Sequence, residues 1–342
     1  MKAAIITKQG NMEVWNVEHE LVDGHTKTCA NGQVRVKILA SGICGAQLKE
    51  LNGERGTEFR PNLCGHEAAG RIQEVGPGVS VQLIGRKCVL HWRKGAGPEA
   101  FLPARYTTRD GLTIGGGHIT TLCESAVVSA NRLTVVDEDV PEELCALLGC
   151  GLSTALGTVE QEAKLRFGES VLVVGCGGVG LNLIQASRLA CAYPIHAMDI
   201  HDKREACAKL GAHVFHDAKD TLPARQFDVI MDTTGSIDAL ERVLPLLSGK
   251  GRLIMIGQPK PEQSFKIANA LHMFHGEGKR IIATQGGGFR PSTDIERYVN
   301  LWRGGHLDLD NIISHRIGLS EINDGIELVR AGQAGRVMVM MK

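Results

Sequence analysis

The sequence predicts an α/β fold of two domains, a twisted β domain and a doubly wound parallel-sheet domain. Up to about residue 140, short apolar strands alternate with glycine turns. From residue 152 onward, nearly continuous apolar strands alternate with helical segments, as in a parallel sheet covered on both faces. At 342 residues the chain is long enough for two separate cores.

In the first domain the strands are KAAIITK, GQVRVKILASG, GRIQEVGPGV and GRKCVLHW, the texture of a partly barrel-like sheet. Residues 93–118 show no period and are expected to form a long loop or lobe. The second domain opens with the buried strand SVLVVG and the helix VGLNLIQASRLACA. The strand IHAMDI, the helix KREACAKLGA and the strands FDVIMDTTG and GRLIMIGQ follow. After KRIIATQGGG the pattern turns helical in DIERYVNLWRGG and EINDGIELVRAG, then ends in the strand RVMVMMK.

Composition narrows the function. Lys plus Arg and Asp plus Glu number 38 each, which argues against nucleic acid or an anionic membrane as the main partner. No apolar run approaches the roughly 18 residues of a membrane span. The N-terminal MKAAIITKQGNMEVW lacks the apolar core of a secretion signal. Ten scattered cysteines are then expected as reduced thiols of a cytoplasmic protein, some holding metal.

The strongest local motif is VVGCGGVGLN. Gly175, Gly177 and Gly180 fit G-x-G-x-x-G between a buried strand and a helix. The first glycine makes the turn, the second admits a pyrophosphate and the third lets helix pack on strand. Gly178 and Val179 open the helix whose N-terminus faces the phosphates. Asp199 ends the next strand, 19 residues after Gly180, where a carboxylate accepts from a ribose 2′-hydroxyl and repels a 2′-phosphate. That favours NAD over NADP, with His201 and Arg204 close by.

Cys44, His66 and Cys150 have no local zinc-ligand spacing. Yet GICG, LCGHEAAG, LLGCGLSTALG and GCGGVG together resemble the zinc-dependent alcohol dehydrogenases of the medium-chain dehydrogenase/reductase family. The resemblance runs from the first strand to GRVMVMMK. It implies a GroES-like catalytic domain over residues 1–151 and 286–342, and a Rossmann NAD-binding domain over residues 152–285. It further implies that Cys44, His66 and Cys150 hold one catalytic zinc, with Glu67 behind the metal and able to enter its shell. Trp92 matches a residue that lines the substrate pocket, and Arg93 follows it. Thr233, Thr234, Ile256 and Gly257 match the strand ends that touch the nicotinamide half of the cofactor. Thr284, Gln285 and Gly286 match the crossover to the first domain, and Arg336 matches a pyrophosphate-binding arginine. The family commonly pairs through edge strands of the cofactor domain. A homodimer or homotetramer is therefore implied, with GRLIMIG as a contact run.

The departures are informative. Two residues after Cys44 the family often has a proton-relaying hydroxyl; here stands Ala46. Such groups are worth roughly 10²–10⁴ in rate, so a water or Lys49 is expected to serve instead. The next position is usually an Asp that orients the histidine ligand; here it is Gln47, whose amide oxygen can still accept the imidazole N–H. Residues 93–122 contain no cysteine, so the four-cysteine structural zinc of many relatives is not expected. The lobe instead carries Arg93, Lys94, Arg105 and Arg109: a solvated basic loop, or a site for an anionic group.

The reading is an NAD-dependent, one-zinc oxidoreductase acting on a small molecule. The reaction expected is interconversion of a secondary alcohol, of polyol, cyclitol or sugar-derived type, and its ketone. The alternatives are a reductase of conjugated C=C bonds in the same family, and a cofactor-binding sensor or scaffold without turnover.

Overall fold

A computed structural model describes residues 1–20, 29–54, 61–220 and 225–341. The chain divides into two compact units: Met1–Cys150 with Arg290–Asn300 and Ile313–Lys342, and Gly151–Phe289 with Leu301–Ile312. Gly151, residues 286–289 and Leu301–Ile312, expected with the first domain, belong to the second unit. Arg188 donates to the His306 carbonyl, and the Asp308 N–H donates to Gln185, tying the last of these stretches to the helix Gly178–Leu189.

The first unit is built around the long strand Gln33–Ile43. It pairs antiparallel with Glu67–Val75, Arg336–Met340 and Ser125–Ser129. Glu67–Val75 pairs in turn with Lys87–His91. The seven-stranded sheet is antiparallel except where Ile313–Gly318 meets Arg336–Met340. Inward-facing Val34, Val36 and Ile38 pack with Ile72, Cys88 and Leu90, all buried. A second, six-stranded sheet contains Lys2–Lys8 and Asn11–Asn16. The expected loop at 93–118 contributes to it the short strands Arg105–Thr107 and Thr113–Gly115. Each is only three residues long, too short to show a period.

In the second unit, six strands form one parallel sheet. Their order is 214–217, 195–199, 171–174, 227–232, 247–255, 280–283. Numbered along the chain this is 3-2-1-4-5-6, the doubly wound dinucleotide-binding order. Val171–Val174 is central and buried at every residue, which is why it reads as an unbroken apolar run. Leu172, Ile230, Leu240, Leu253 and Phe227 form one core. Leu247–Met255, expected as a contact strand between copies, is paired on both sides. Among the described residues the edge at that end is Arg280–Ala283. The apolar end of this strand, residues 253–255, reports cover on the sheet faces and says nothing of which edge is open.

Candidate metal centre and dinucleotide site

Sheet register brings the three distant ligand positions together. Cys44 follows the strand Gln33–Ile43 and caps the helix Gly45–Leu51. Ser41 is paired with Ala68 on the neighbouring strand, which puts His66 beside that end. Cys150 follows the helix Glu142–Leu148, which packs on both strands. Gly149 is needed there: a Cβ would overlap the Leu90 carbonyl oxygen and the Glu67 side chain. The ligand atoms of Cys44, His66 and Cys150 lie within 4.8 Å of one another. Among the described residues, no other group of three or more His, Cys, Asp or Glu side chains converges in this way.

Behind them, Glu67 is fully buried and ion-paired with Arg336, which also donates to the Ile43 carbonyl at 3.2 Å. Arg336, expected at the pyrophosphate, is thus buried in the first unit with its guanidinium on Glu67. The register Val337–Ile43 places it there, and no local motif announces it.

The electrostatics suit a divalent cation. The Cys150 thiol, together with His66 and Arg336, holds Cys44 well below its ordinary range, against the effect of burial. Cys150 is pushed up by the same hydrogen bond and by burial. Burial opposes a charge on His66, but the Cys44 sulfur beside it raises the ring's basicity. Burial also disfavours the Arg336 charge, and Glu67 and the two sulfurs more than offset it. Two thiolates, Glu67 and Arg336 together carry two uncompensated negative charges, which a divalent cation would neutralise. Two sulfurs and one imidazole are a zinc-type donor set with a coordination position left open.

Gln47 is buried; its Oε1 accepts from the Cys44 N–H at 2.8 Å, and its Nε2 lies 2.7 Å from His66 Nδ1. The amide oxygen, expected to accept from the imidazole, is therefore used by the backbone instead. Lys49 is half-buried in the last turn of the same helix, and Ala46 lies one turn earlier. One strand over, His91 is paired with Glu67, and Trp92 and Arg93 follow it. The Arg93 guanidinium lies 5.6 Å from the centre of the Trp92 ring. Lys94 pairs with Glu99.

In the second unit, Gly175, Gly177, Gly178, Val179 and Gly180 form the turn from Val171–Val174 into the helix Gly178–Leu189, with Gly177 at its N-cap. A Cβ on Gly180 would overlap the Gly175 carbonyl oxygen, so only glycine lets helix and turn close. Asp199 accepts from the Cys176 N–H at 2.6 Å and the His201 N–H at 2.9 Å, fastening the second strand end to the turn. Arg204 begins the next helix, its guanidinium 5.7 Å from the centre of the Phe215 ring.

Thr233 donates to the Gly175 carbonyl at 2.9 Å, and Thr234 to Asp232 at 2.6 Å. The Ile256 and Gly257 N–H groups both donate to the Asp232 carbonyl. Thr284 donates to Glu162 at 2.9 Å, and Gln285 and Gly286 follow it. All of these stand at the carboxyl ends of parallel strands, where such sheets bind nucleotides.

Comparison with known proteins agrees with this geometry. Residues 30–138 match the alcohol dehydrogenase GroES-like domain and residues 178–301 the zinc-binding dehydrogenase family. The chain belongs to the zinc-type medium-chain dehydrogenase/reductases. Among curated members of this family, alcohol dehydrogenase 6 of Peromyscus maniculatus is 29% identical, over 90% of each chain. The NDMA-dependent alcohol dehydrogenase of Amycolatopsis methanolica is 28% identical, over 99% of this chain and 98% of its own. An alcohol dehydrogenase zinc-binding domain protein of Burkholderia ambifaria shares the fold with a TM-score of 0.90 at 22% identity, covering 100% of this chain and 98% of its own. As a zinc-type medium-chain dehydrogenase/reductase, the protein is an oxidoreductase using zinc and a nicotinamide cofactor. No helix among the described residues is long and apolar enough to cross a membrane.

Proposed function

We propose that this oxidoreductase interconverts a secondary alcohol and its ketone, using NAD(H) and one zinc per chain. The observation that carries the reading is the convergence of Cys44, His66 and Cys150 over the buried Glu67–Arg336 pair. Zinc held there supplies Lewis acidity toward the substrate oxygen. The chain's own residues do the rest. Cys44 and Cys150 would hold the metal as thiolates. Glu67 and Arg336 hold compensating charges beneath the sulfurs. Glycines 175, 177 and 180 let the backbone approach a pyrophosphate, and Asp199 disfavours a 2′-phosphate, which supports NAD over NADP.

Ala46 cannot pass the alcohol proton, so that task falls to water or to Lys49 on the same helix. A polyol, cyclitol or sugar-derived substrate is favoured by Trp92 and Arg93. They place an aromatic face and a planar donor one strand from Glu67. We assign the protein to the cytoplasm, as a homodimer or homotetramer built through the edge strand Arg280–Ala283.

The test is NAD(H) turnover on a panel of sugar alcohols and their ketones beside simple aliphatic alcohols. Turnover confined to the aliphatic alcohols rejects the substrate class. The missing hydroxyl relay also suits hydride addition to a conjugated C=C bond. Product analysis with an enone separates the two reactions.

A further inference from the structure

Gln47 is fully buried, and its two hydrogen bonds decide which way its amide faces. The backbone N–H of Cys44 can only donate, so the group 2.8 Å from it must be the amide oxygen. The NH₂ is left facing His66 Nδ1 at 2.7 Å. An amide NH₂ can only donate as well, so Nδ1 accepts and carries no proton. The single proton of a neutral ring then sits on Nε2. An imidazolium would bring a second proton to Nδ1, where Gln47 already supplies one. Nε2 is the nitrogen left for a metal, and in this tautomer it has no lone pair to give.

Metal-binding histidines almost always donate their other N–H to an acceptor, which fixes the opposite tautomer. A carboxylate at position 47 would accept from Cys44 N–H and His66 Nδ1–H at once. Gln47 has one acceptor for these two donors. Turning its amide over satisfies the ring but sets the NH₂ against the Cys44 N–H, donor facing donor.

We propose that Gln47 sets the metal affinity of this centre: it holds His66 in a hydrogen-bonded, metal-free arrangement that zinc must displace. The inference rests on the reading of Cys44, His66 and Cys150 as a zinc site. Gln47 is a positioning residue, because it acts through His66. On loading, the ring gives up its Nε2 proton to solvent and takes one from solvent on Nδ1, so its charge is unchanged. The amide turns over, and the cysteine sulfurs, which bind a metal as thiolates, release any proton they carry to solvent. Zinc is held roughly 10–100-fold more weakly than with a carboxylate at position 47, the usual effect of a partner behind a ligand.

The test uses the full chain stripped of metal, as wild type, Gln47→Glu and Cys150→Ser. Zinc affinity is measured by competition with a chromophoric chelator, and thiolate binding by the sulfur-to-cobalt charge-transfer band. The His66 tautomer is read from selectively ¹⁵N-labelled histidine in the metal-free protein, its signals identified by their loss in His66→Asn. The proposal expects the proton on Nε2 in wild type and on Nδ1 in Gln47→Glu. It expects Gln47→Glu to bind zinc roughly 10–100-fold tighter. The cobalt band should be present in both and clearly weaker in Cys150→Ser, which keeps only the Cys44 sulfur. A wild-type ring protonated on Nδ1 overturns the proposal and leaves the zinc site standing; so does equal or weaker affinity in Gln47→Glu. Tighter binding with no change of tautomer assigns the effect to the added charge and overturns it too. Absence of the cobalt band from wild type and Gln47→Glu alike rejects the zinc site, and the proposal with it. If Gln47→Glu does not fold, the wild-type tautomer still decides.

Discussion

Arg336 reaches across 269 residues of sequence to the carboxylate of Glu67, beneath the sulfurs of Cys44 and Cys150. Neither side chain sees appreciable solvent, at 3% and 0% exposed. Removing one member of such a pair leaves an uncompensated buried charge, which costs roughly 3–5 kcal/mol. Arg336→Met should therefore lower stability by about that amount in urea unfolding. Adding Glu67→Gln should restore part of it, because the orphaned charge is then gone. A loss below about 1 kcal/mol in the single variant would show that Glu67 finds another partner, or takes up a proton, at little cost.

Cys150→Ser keeps the shape of the centre and removes one soft ligand. Zinc content should fall from one per chain toward zero. With the Lewis acid gone, turnover should fall by about a thousandfold or more, the equivalent of several kcal/mol of transition-state stabilisation. Chelation of wild type should reproduce both losses, and added zinc should reverse them. Full turnover in a zinc-free preparation would exclude metal assistance.

How much of this was legible in the sequence follows from the range of each interaction. Val171–Val174 and Gly175–Gly180 are local patterns with local causes, and they open a parallel sheet as expected. Cys44, His66 and Cys150 are far apart in sequence, and no periodicity joins them. They became visible only because short stretches around each resemble a known family. Arg336 on Glu67 depends on which strands pair and in what register, which side-chain patterns do not encode. The sense of the Gln47 amide depends on one backbone N–H, that of Cys44, and has no sequence signal at all. The run GRLIMIG correctly read as a buried strand, but an apolar run cannot say which neighbour covers it.

Asp199 has both carboxylate oxygens on backbone N–H groups of the phosphate turn and its own strand end. A carboxylate accepts further bonds, so under the proposed NAD reading it would accept from a ribose hydroxyl and repel a 2′-phosphate. Asp199→Asn keeps an oxygen for Cys176 and removes the charge. The ratio of kcat/KM for NADP(H) over NAD(H) should rise roughly 10–100-fold, the worth of one charge-assisted hydrogen bond. An unchanged ratio would shift cofactor choice to Arg204 and its surroundings.

His91 supplies a pH test of the first unit. It is fully buried, with Nδ1 on the Arg93 carbonyl at 2.7 Å and Nε2 on the Thr134 hydroxyl at 3.0 Å. Burial is the main cause that lowers its pKa from 6.5 to about 4. The unfolded chain therefore binds a proton between these values while the folded chain does not. Stability from this group is complete above the unfolded value, and is lost as pH falls toward the folded one. From pH 7 to pH 5 the loss is about 2 kcal/mol. His19 and His196 are also lowered to about 4, chiefly by burial, and act in the same direction. The difference between wild type and variant isolates His91. In His91→Gln the slope of unfolding free energy against pH should fall by close to one proton, whatever the variant's absolute stability. Parallel slopes for the two proteins would mean that the folded state admits a charged ring at position 91.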